Sequence, residues 1–289
     1  MHYFDHSATT PLHPKVKKLM GEVGDFHFGN PSSVHAFGQK AKIVIETARG
    51  QMAKAVGCNS NEIFFTSGGT EANNLVLWNL IHQNKKHVVT SVIEHPAVLK
   101  VLDNLEEFGV SYTAVGVDKN GGVNPNEVQN AITADTGLIS IMLANNEMGT
   151  IQPIREISSI AKEQGIFLHS DAVQALGKIP INAKDLGVDY MSFSAHKFYG
   201  PKGVGALYIR KGLKLQPLII GGSQERRVRA GTENTPGIAG CGLAAELAVN
   251  SIQDTHTHLE SLAKAFKEEI KRISPDIIFN GHPKKNLPG

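Results

Sequence analysis

Short apolar segments alternate with longer amphipathic ones, and this alternation restricts the fold more than any other feature of the chain. The apolar runs are rich in Val, Ile and Phe, as in strands that are buried on both faces. Repeated strand–helix alternation predicts an α/β domain with a largely parallel sheet. The predicted strands are 62–66, 87–93, 138–144, 166–171, 190–194 and 204–209, and the predicted helices between them are 38–56, 71–84, 96–108, 125–133 and 154–164.

The sequence changes character towards its end. Only the turn KFYGPKG separates the last two predicted strands, so we expect an antiparallel hairpin and therefore a mixed sheet. After the glycine-rich stretch 221–231, helices are predicted over 236–250 and 255–273. The segment SPDIIFNG, residues 274–281, reads as the first strand of a further unit.

Composition excludes several classes of function. A formal net charge of +2 over 289 residues favours neither a nucleic-acid nor a membrane-surface partner. No apolar run reaches membrane-spanning length, and the N-terminal residues resemble neither a secretory signal nor a transit peptide. The two cysteines, Cys58 and Cys241, form no disulfide framework or zinc ligand set, and as structural thiols they suit a reducing cytoplasm.

The unusual polar residues cluster at the ends of predicted strands. In doubly wound sheets, ligands bind beyond the carboxyl ends of the strands. We therefore expect these residues to share one site. The segments in question are TSGGTEANN, EHPAV, NNEMG, HSDAVQ and SAHK.

Each of these signals has an ordinary alternative. The glycines before Thr70 suit a phosphate at a helix start, but they also suit a simple helix cap. Asp171 is compatible with a metal, a positively charged partner or a cap, although no second acid stands at metal-ligand spacing. His95 is compatible with a cap, and the pair Asn145–Asn146 with a turn. Lys197 is compatible with a surface charge.

Taken together, the strand ends match the requirements of pyridoxal 5′-phosphate. This cofactor needs a phosphate cradle, a lysine for a Schiff base, an acid for the pyridinium nitrogen and a group that lies against the ring. A glycoside hydrolase or a metal hydrolase would need a second carboxylate, and the G-x-S-x-G and P-loop motifs are absent.

Nine segments in order carry a closer resemblance. They are YFDHSATTP, FGNPSSVHAFG, FFTSGGTEANN, EHPAV, NNEMGTIQP, HSDAVQALGK, SFSAHKFYGPKG, GGSQERRVRAGTEN and NGHPKKNLPG. They resemble the cysteine desulfurases of the NifS/IscS group, which are fold-type I, class V aminotransferase enzymes. The resemblance implies a large domain over 13–252 with a mainly parallel mixed sheet flanked by helices. It also implies an incomplete small α+β domain from residues 1–12 and 253–289.

The resemblance also implies roles for individual residues. Lys197 is similar to the Schiff-base lysine, Asp171 to the acid under the pyridine nitrogen and Gln174 to the donor near the ring O3′. His95 resembles the histidine that stacks on the ring and shuttles protons. The other implied positions are Gly69, Thr70, Ser194 and His196 at the phosphate, Asn146 beside cofactor and substrate carboxylate, and Thr232 at the neighbouring subunit's phosphate.

The implied reaction converts L-cysteine to L-alanine and leaves a persulfide for an iron–sulfur scaffold or a tRNA-thiolation partner, in a homodimer with shared sites. The family's nucleophilic cysteine and substrate-carboxylate arginine lie beyond the LPN-type strand where this sequence ends, so we expect a fragment. The alternatives are another class V enzyme, such as a selenocysteine lyase or an aminotransferase, and an inactive truncated paralogue that serves as a scaffold.

Overall fold

The computed structural model describes residues 2–288 and contains a seven-stranded sheet. Its strand order is β1-β7-β6-β5-β4-β2-β3. Neighbouring strands from β3 to β6 are parallel, whereas β7 is antiparallel to both β6 and β1. The mixed sheet and the hairpin are therefore confirmed. The strands are β1 Ile63–Thr66, β2 His87–Ser91, β3 Ser111–Val115, β4 Thr136–Ser140, β5 Phe167–Asp171, β6 Tyr190–Ser194 and β7 Gly205–Ile209.

Helices cover both faces of this sheet. Residues on successive strand positions alternate between two apolar cores, so Ile63 and Phe65 enter one core and Phe64 the other. Burial on both faces explains why the strands are continuously apolar. The helices are α1 Pro14–Phe26, α2 Ala36–Val56, α3 Gly69–Trp78, α4 Pro96–Leu105, α5 Pro125–Asn130, α6 Ile154–Glu163, α7 Ala183–Leu186, α8 Thr235–Asn250 and α9 Ile252–Ile273. None of the helices within residues 2–288 combines the length and apolarity that crossing a bilayer requires.

Three elements were not predicted and one prediction was wrong. β3 lies at the sheet edge with Ser111 and Thr113 exposed, so it lacks the apolar run of the inner strands. α1 buries only Val16 and Val23, and α7 has just one turn. Residues 274–281 form no strand, because no other strand lies beside them to complete a hydrogen-bonded ladder.

The two ends of the chain meet the main body differently. No residue of α9 is buried. Beyond it, the Ile151 amide donates to the Lys285 carbonyl (2.9 Å), which ties residues 282–287 to the loop after β4. The N-terminal strip, residues 2–12, is also mostly exposed, but the Thr10 amide donates to the His196 carbonyl (2.9 Å). The division into a large domain and a partial small domain remains a prediction.

Candidate active site

A cavity of about 440 Å³ lies at the carboxyl ends of the strands. Nine of the ten predicted cofactor-binding residues line it, so the tertiary structure brings together segments that are far apart in sequence. Their individual roles remain predictions. The nine are Gly69, Thr70, His95, Asn146, Asp171, Gln174, Ser194, His196 and Lys197.

Lys197 ends a short 3-10 turn that directly follows β6. Its ammonium group donates to the main-chain carbonyls of Ser7 and Ala8, the latter at 2.8 Å, so the N-terminal strip covers this side of the cavity. Burial lowers the pKa of Lys197, while the carboxylates of Asp171, Asp5 and Glu147 act in the opposite direction. A half-buried lysine with a lowered pKa is a better nucleophile than a solvated surface lysine.

Asp171 is the last residue of β5 and is only 7% exposed. Its two carboxylate oxygens accept hydrogen bonds from the Asn73 side-chain amide (2.7 Å) and the Val173 backbone amide (2.9 Å). Burial raises its pKa, and within residues 2–288 no cation forms an ion pair with it. A buried carboxylate of this kind fits a ligand that brings its own positive charge, as a protonated pyridine nitrogen does.

The start of α3 provides the second part of the cavity wall. Its first backbone N–H groups have no partners within the helix and carry the positive end of the helix dipole. A Cβ atom at Gly69 would lie 2.6 Å from Val173 Cγ2, so glycine allows this close approach. Ser194 and His196 line the same cavity, and His196 Nδ1 lies 3.1 Å from Thr9 Oγ1. Burial and the nearby Lys197 and Lys202 lower the pKa of His196. This set of donors fits a phosphate group.

His95 and the pair Asn145–Asn146 each stabilise local structure and also contribute to the cavity wall. His95 caps α4, because its Nδ1 accepts from the Ala97 amide (3.0 Å), and its side chain also lines the cavity. Asn145 stabilises the turn through bonds from the Glu147 and Met148 amides, whereas Asn146 faces the cavity. The same short segment can therefore cap a helix or stabilise a turn and also supply a side chain to the cavity wall.

Gln174 lies between the N-terminal strip and a second lysine. Its Nε2 donates to the Ser7 carbonyl (2.9 Å), and its Oε1 accepts from Lys178 Nζ (2.7 Å). Sequence reasoning missed Lys178, the Ser7 carbonyl and Asn73. Asn73 follows Gly69 by one helical turn, a spacing that signals a shared face. The Ser7 carbonyl could not be predicted in this way, because every residue type carries the same main-chain carbonyl group.

Thr232 lies outside this cavity. It lines a separate cavity of about 190 Å³ together with Arg229. The preceding loop is held in place because Glu225 accepts a bidentate ion pair from Arg49 (2.7 and 2.8 Å). The predicted contact of Thr232 with a neighbouring subunit's phosphate stays a prediction.

Neither cysteine reaches the cavity. Cys241 is fully buried in α8, and Cys58 is half-buried beyond the end of α2. Burial raises the pKa of each thiol to about 12, so both are protonated and unreactive near neutral pH. Within residues 2–288, no three His, Cys, Asp or Glu side chains are grouped as a metal site.

The comparisons with known proteins agree with this geometry. Residues 2–289 match the family described as Aminotransferase class-V. A cysteine desulfurase IscS of Dictyoglomus turgidum is 50% identical over 99% of this chain and 73% of its own length. The chain belongs to the cysteine desulfurases of the class-V aminotransferase family. An IscS of Methanosarcina thermophila is also 50% identical, over 99% of this chain and 71% of that protein.

Solved structures of this family share the fold. A NifS-like protein superposes with a TM-score of 0.95 at 42% identity, covering 99% of this chain and 79% of that one. SspA in complex with cysteine gives a TM-score of 0.83 at 41% identity, covering 85% and 72% of the respective chains. Cysteine desulfurases are pyridoxal phosphate enzymes, and the acid, amine and anion-binding helix start found here fit that cofactor.

Proposed function

We propose that this chain binds pyridoxal 5′-phosphate in the 440 Å³ cavity and converts L-cysteine to L-alanine. The observation that carries the proposal is that Lys197, in the turn after β6, and Asp171, at the end of the neighbouring β5, line one cavity with the start of α3. An amine, a buried acid and an anion site are the three groups that this cofactor requires.

Each residue has a distinct part in this proposal. Lys197 would hold the cofactor through its amine and would move protons at the substrate α-carbon. Asp171 would keep the pyridine nitrogen protonated. Gly69, Thr70, Ser194 and His196 would bind the phosphate. When bound, the cofactor supplies a conjugated ring that accommodates negative charge from the substrate α-carbon.

Gln174 and Asn146 orient the ligand, and His95 packs against the ring and carries protons to or from the substrate. Asn146 and the exposed Glu147 also line the cavity that would receive L-cysteine. Because these side chains are already oriented by the protein, they need little reorganisation on binding.

The reaction also needs a thiol that accepts the sulfur. L-cysteine and a thiol give L-alanine and a persulfide, so the C–S bond breaks and an S–S bond forms. Cys58 and Cys241 lie away from the cavity with raised pKa values, so neither is the acceptor. In this proposal the acceptor thiol belongs to another chain or to a segment outside these 289 residues.

The proposal is tested by supplying the thiol from solution. With pyridoxal phosphate and dithiothreitol, the protein is expected to release alanine and sulfide from L-cysteine in equal amounts, and no alanine from L-serine. The double variant Cys58→Ser, Cys241→Ser is the matched control and should retain the activity. Alanine and sulfide are quantified in the same samples.

Other outcomes would favour the alternatives. Turnover of L-selenocysteine without turnover of L-cysteine would favour a selenocysteine lyase. Alanine formed from pyruvate and an amino donor, without sulfide, would favour an aminotransferase. Failure to bind pyridoxal phosphate would favour a scaffold role.

Two copies of the chain form the working unit in this proposal. Support comes from Thr232, which lies outside its own cavity, and from exposed apolar residues around the end of α1 and the start of α2. Phe26, Phe28 and Val34 are the most exposed of these. Light scattering after gel filtration should give twice the 31.1 kDa chain mass, and Phe28→Asp should lower it. A monomer at all protein concentrations would contradict the dimer.

The sulfur acceptor in this proposal is an iron–sulfur scaffold protein or a tRNA-thiolation partner in the cytoplasm. Two free cysteines within one chain suit a reducing compartment. Transfer of ³⁵S from labelled cysteine to a purified scaffold or thiolation protein would test this, and label that stays on dithiothreitol alone would count against it.

A further inference from the structure

Lys178 is a half-buried lysine that the proposed reaction does not use. Its ammonium group donates to Gln174 Oε1 at 2.7 Å, and within residues 2–288 it forms no ion pair with a carboxylate. Lysines rarely lie away from solvent without such a partner. The half-buried position of Lys178 therefore suggests that this side chain has a function in the site.

The turn that follows β5 places Lys178 beside Gln174. Gly177, which precedes the lysine, has a φ of 78°. A Cβ atom at that position would lie 2.6 Å from Ala248 Cβ in α8, so the turn is packed closely against this helix. Lys178 is thus held in place by its backbone.

Lys178 also decides the orientation of the Gln174 amide. An ammonium group has three donors and no acceptor, so only the amide oxygen can face it. The NH2 group of Gln174 must then point the other way, where it donates to the Ser7 carbonyl (2.9 Å). Lys197 donates to the same carbonyl. Lys178 and Lys197 are therefore joined by a chain of hydrogen bonds that runs through the Gln174 side-chain amide and the Ser7 carbonyl.

We propose that Lys178 is a positioning residue of this site, which fixes the Gln174 amide so that its NH2 group faces the cavity beside Lys197. An amide held this way offers a hydrogen-bond donor to an anionic oxygen of a ligand. The proposal rests on the proposed function, because the ligand in question is the cofactor.

The charge of Lys178 acts in the same region. Burial and the repulsion from Lys197 lower the pKa of Lys178 to about 8. This repulsion makes Lys178 lose its proton more readily beside the charged Lys197. The charged groups that act on Lys197 are the carboxylates of Asp171, Asp5 and Glu147, which favour its charged form.

The test compares Lys178→Met with Lys178→Arg. The methionine variant keeps an apolar stem of similar length but loses donor and charge, and the arginine variant keeps both. For Lys178→Met, we expect cofactor affinity to fall about tenfold. Lys178→Arg should remain near wild type in this measurement, because it keeps a donor and a charge beside Gln174.

Lys100→Met is the control, because Lys100 is exposed on α4 and does not line the cavity. Labelling is by reductive methylation, followed residue by residue with mass spectrometry. Methylation of Lys178 in the wild-type protein should show a midpoint near 8. This measurement does not depend on any variant folding.

Several results would overturn the inference. A folded Lys178→Met variant with wild-type cofactor affinity would show that Lys178 positions nothing. A wild-type Lys178 whose midpoint is not lowered would show that it is solvated. If the wild-type protein fails to bind pyridoxal phosphate, the proposed function itself fails, whereas equal binding by wild type and Lys178→Met overturns only the role of Lys178.

Discussion

Replacing Lys197 by alanine is expected to abolish covalent attachment of pyridoxal phosphate while leaving the sheet folded. The lysine ammonium is bonded only to the carbonyls of Ser7 and Ala8, which remain accessible to water when the side chain is removed. Its loss therefore removes the nucleophile without leaving a deeply buried group unpaired. Borohydride reduction followed by peptide mapping should find label on Lys197 in the wild type and only background in the variant.

Lys202→Ala is the matched control for this experiment, since Lys202 is exposed in the turn that follows Lys197. It should retain full labelling. Circular dichroism should show the same secondary structure for both variants and the wild type. Label that persists in Lys197→Ala at Lys178 would identify Lys178 as the attached amine and disprove the assignment of Lys197.

Asp171→Asn is expected to lower alanine formation from L-cysteine on the order of 100-fold or more, even at saturating cofactor. Both oxygens of Asp171 accept hydrogen bonds, from Asn73 and from the Val173 amide. An asparagine cannot accept with both of its polar atoms, and it brings no negative charge to a protonated ring nitrogen. The measurement is the turnover rate per folded, cofactor-loaded molecule.

Asp189→Asn separates this effect from a loss of stability. Asp189 is also a buried acid, with bonds from the Leu168 amide (2.8 Å) and Arg210 (2.6 Å), but it lies at the opposite end of the sheet. Its replacement should lower the thermal midpoint and leave turnover per folded molecule unchanged. Equal turnover of Asp171→Asn and wild type would remove Asp171 from the proposed mechanism.

The inner part of the fold could be predicted from sequence, because burial on both faces leaves a strong local signal. Six strands and the helices between them follow from apolar runs and amphipathic periods. The edge strand β3 could not be predicted from such a signal, since only its last residue, Val115, is buried. The predicted strand at 274–281 was wrong because a strand also needs a neighbour, and a local pattern carries no information about neighbours.

The sequence by itself determined which residue types come together. Polar residues at strand ends predicted that Lys197, Asp171 and Gly69 share one cavity, because the carboxyl ends of parallel strands converge at one edge.

Only the tertiary structure decided which atoms meet there. It placed the Ser7 carbonyl within hydrogen-bond distance of Lys197 and the Lys178 ammonium group beside Gln174 Oε1. It also placed Thr232 in the wall of a different cavity. These contacts join segments that are far apart in the chain or involve main-chain atoms common to every residue type. Local composition therefore cannot encode them, and they exist only once the sheet and the N-terminal strip have packed together.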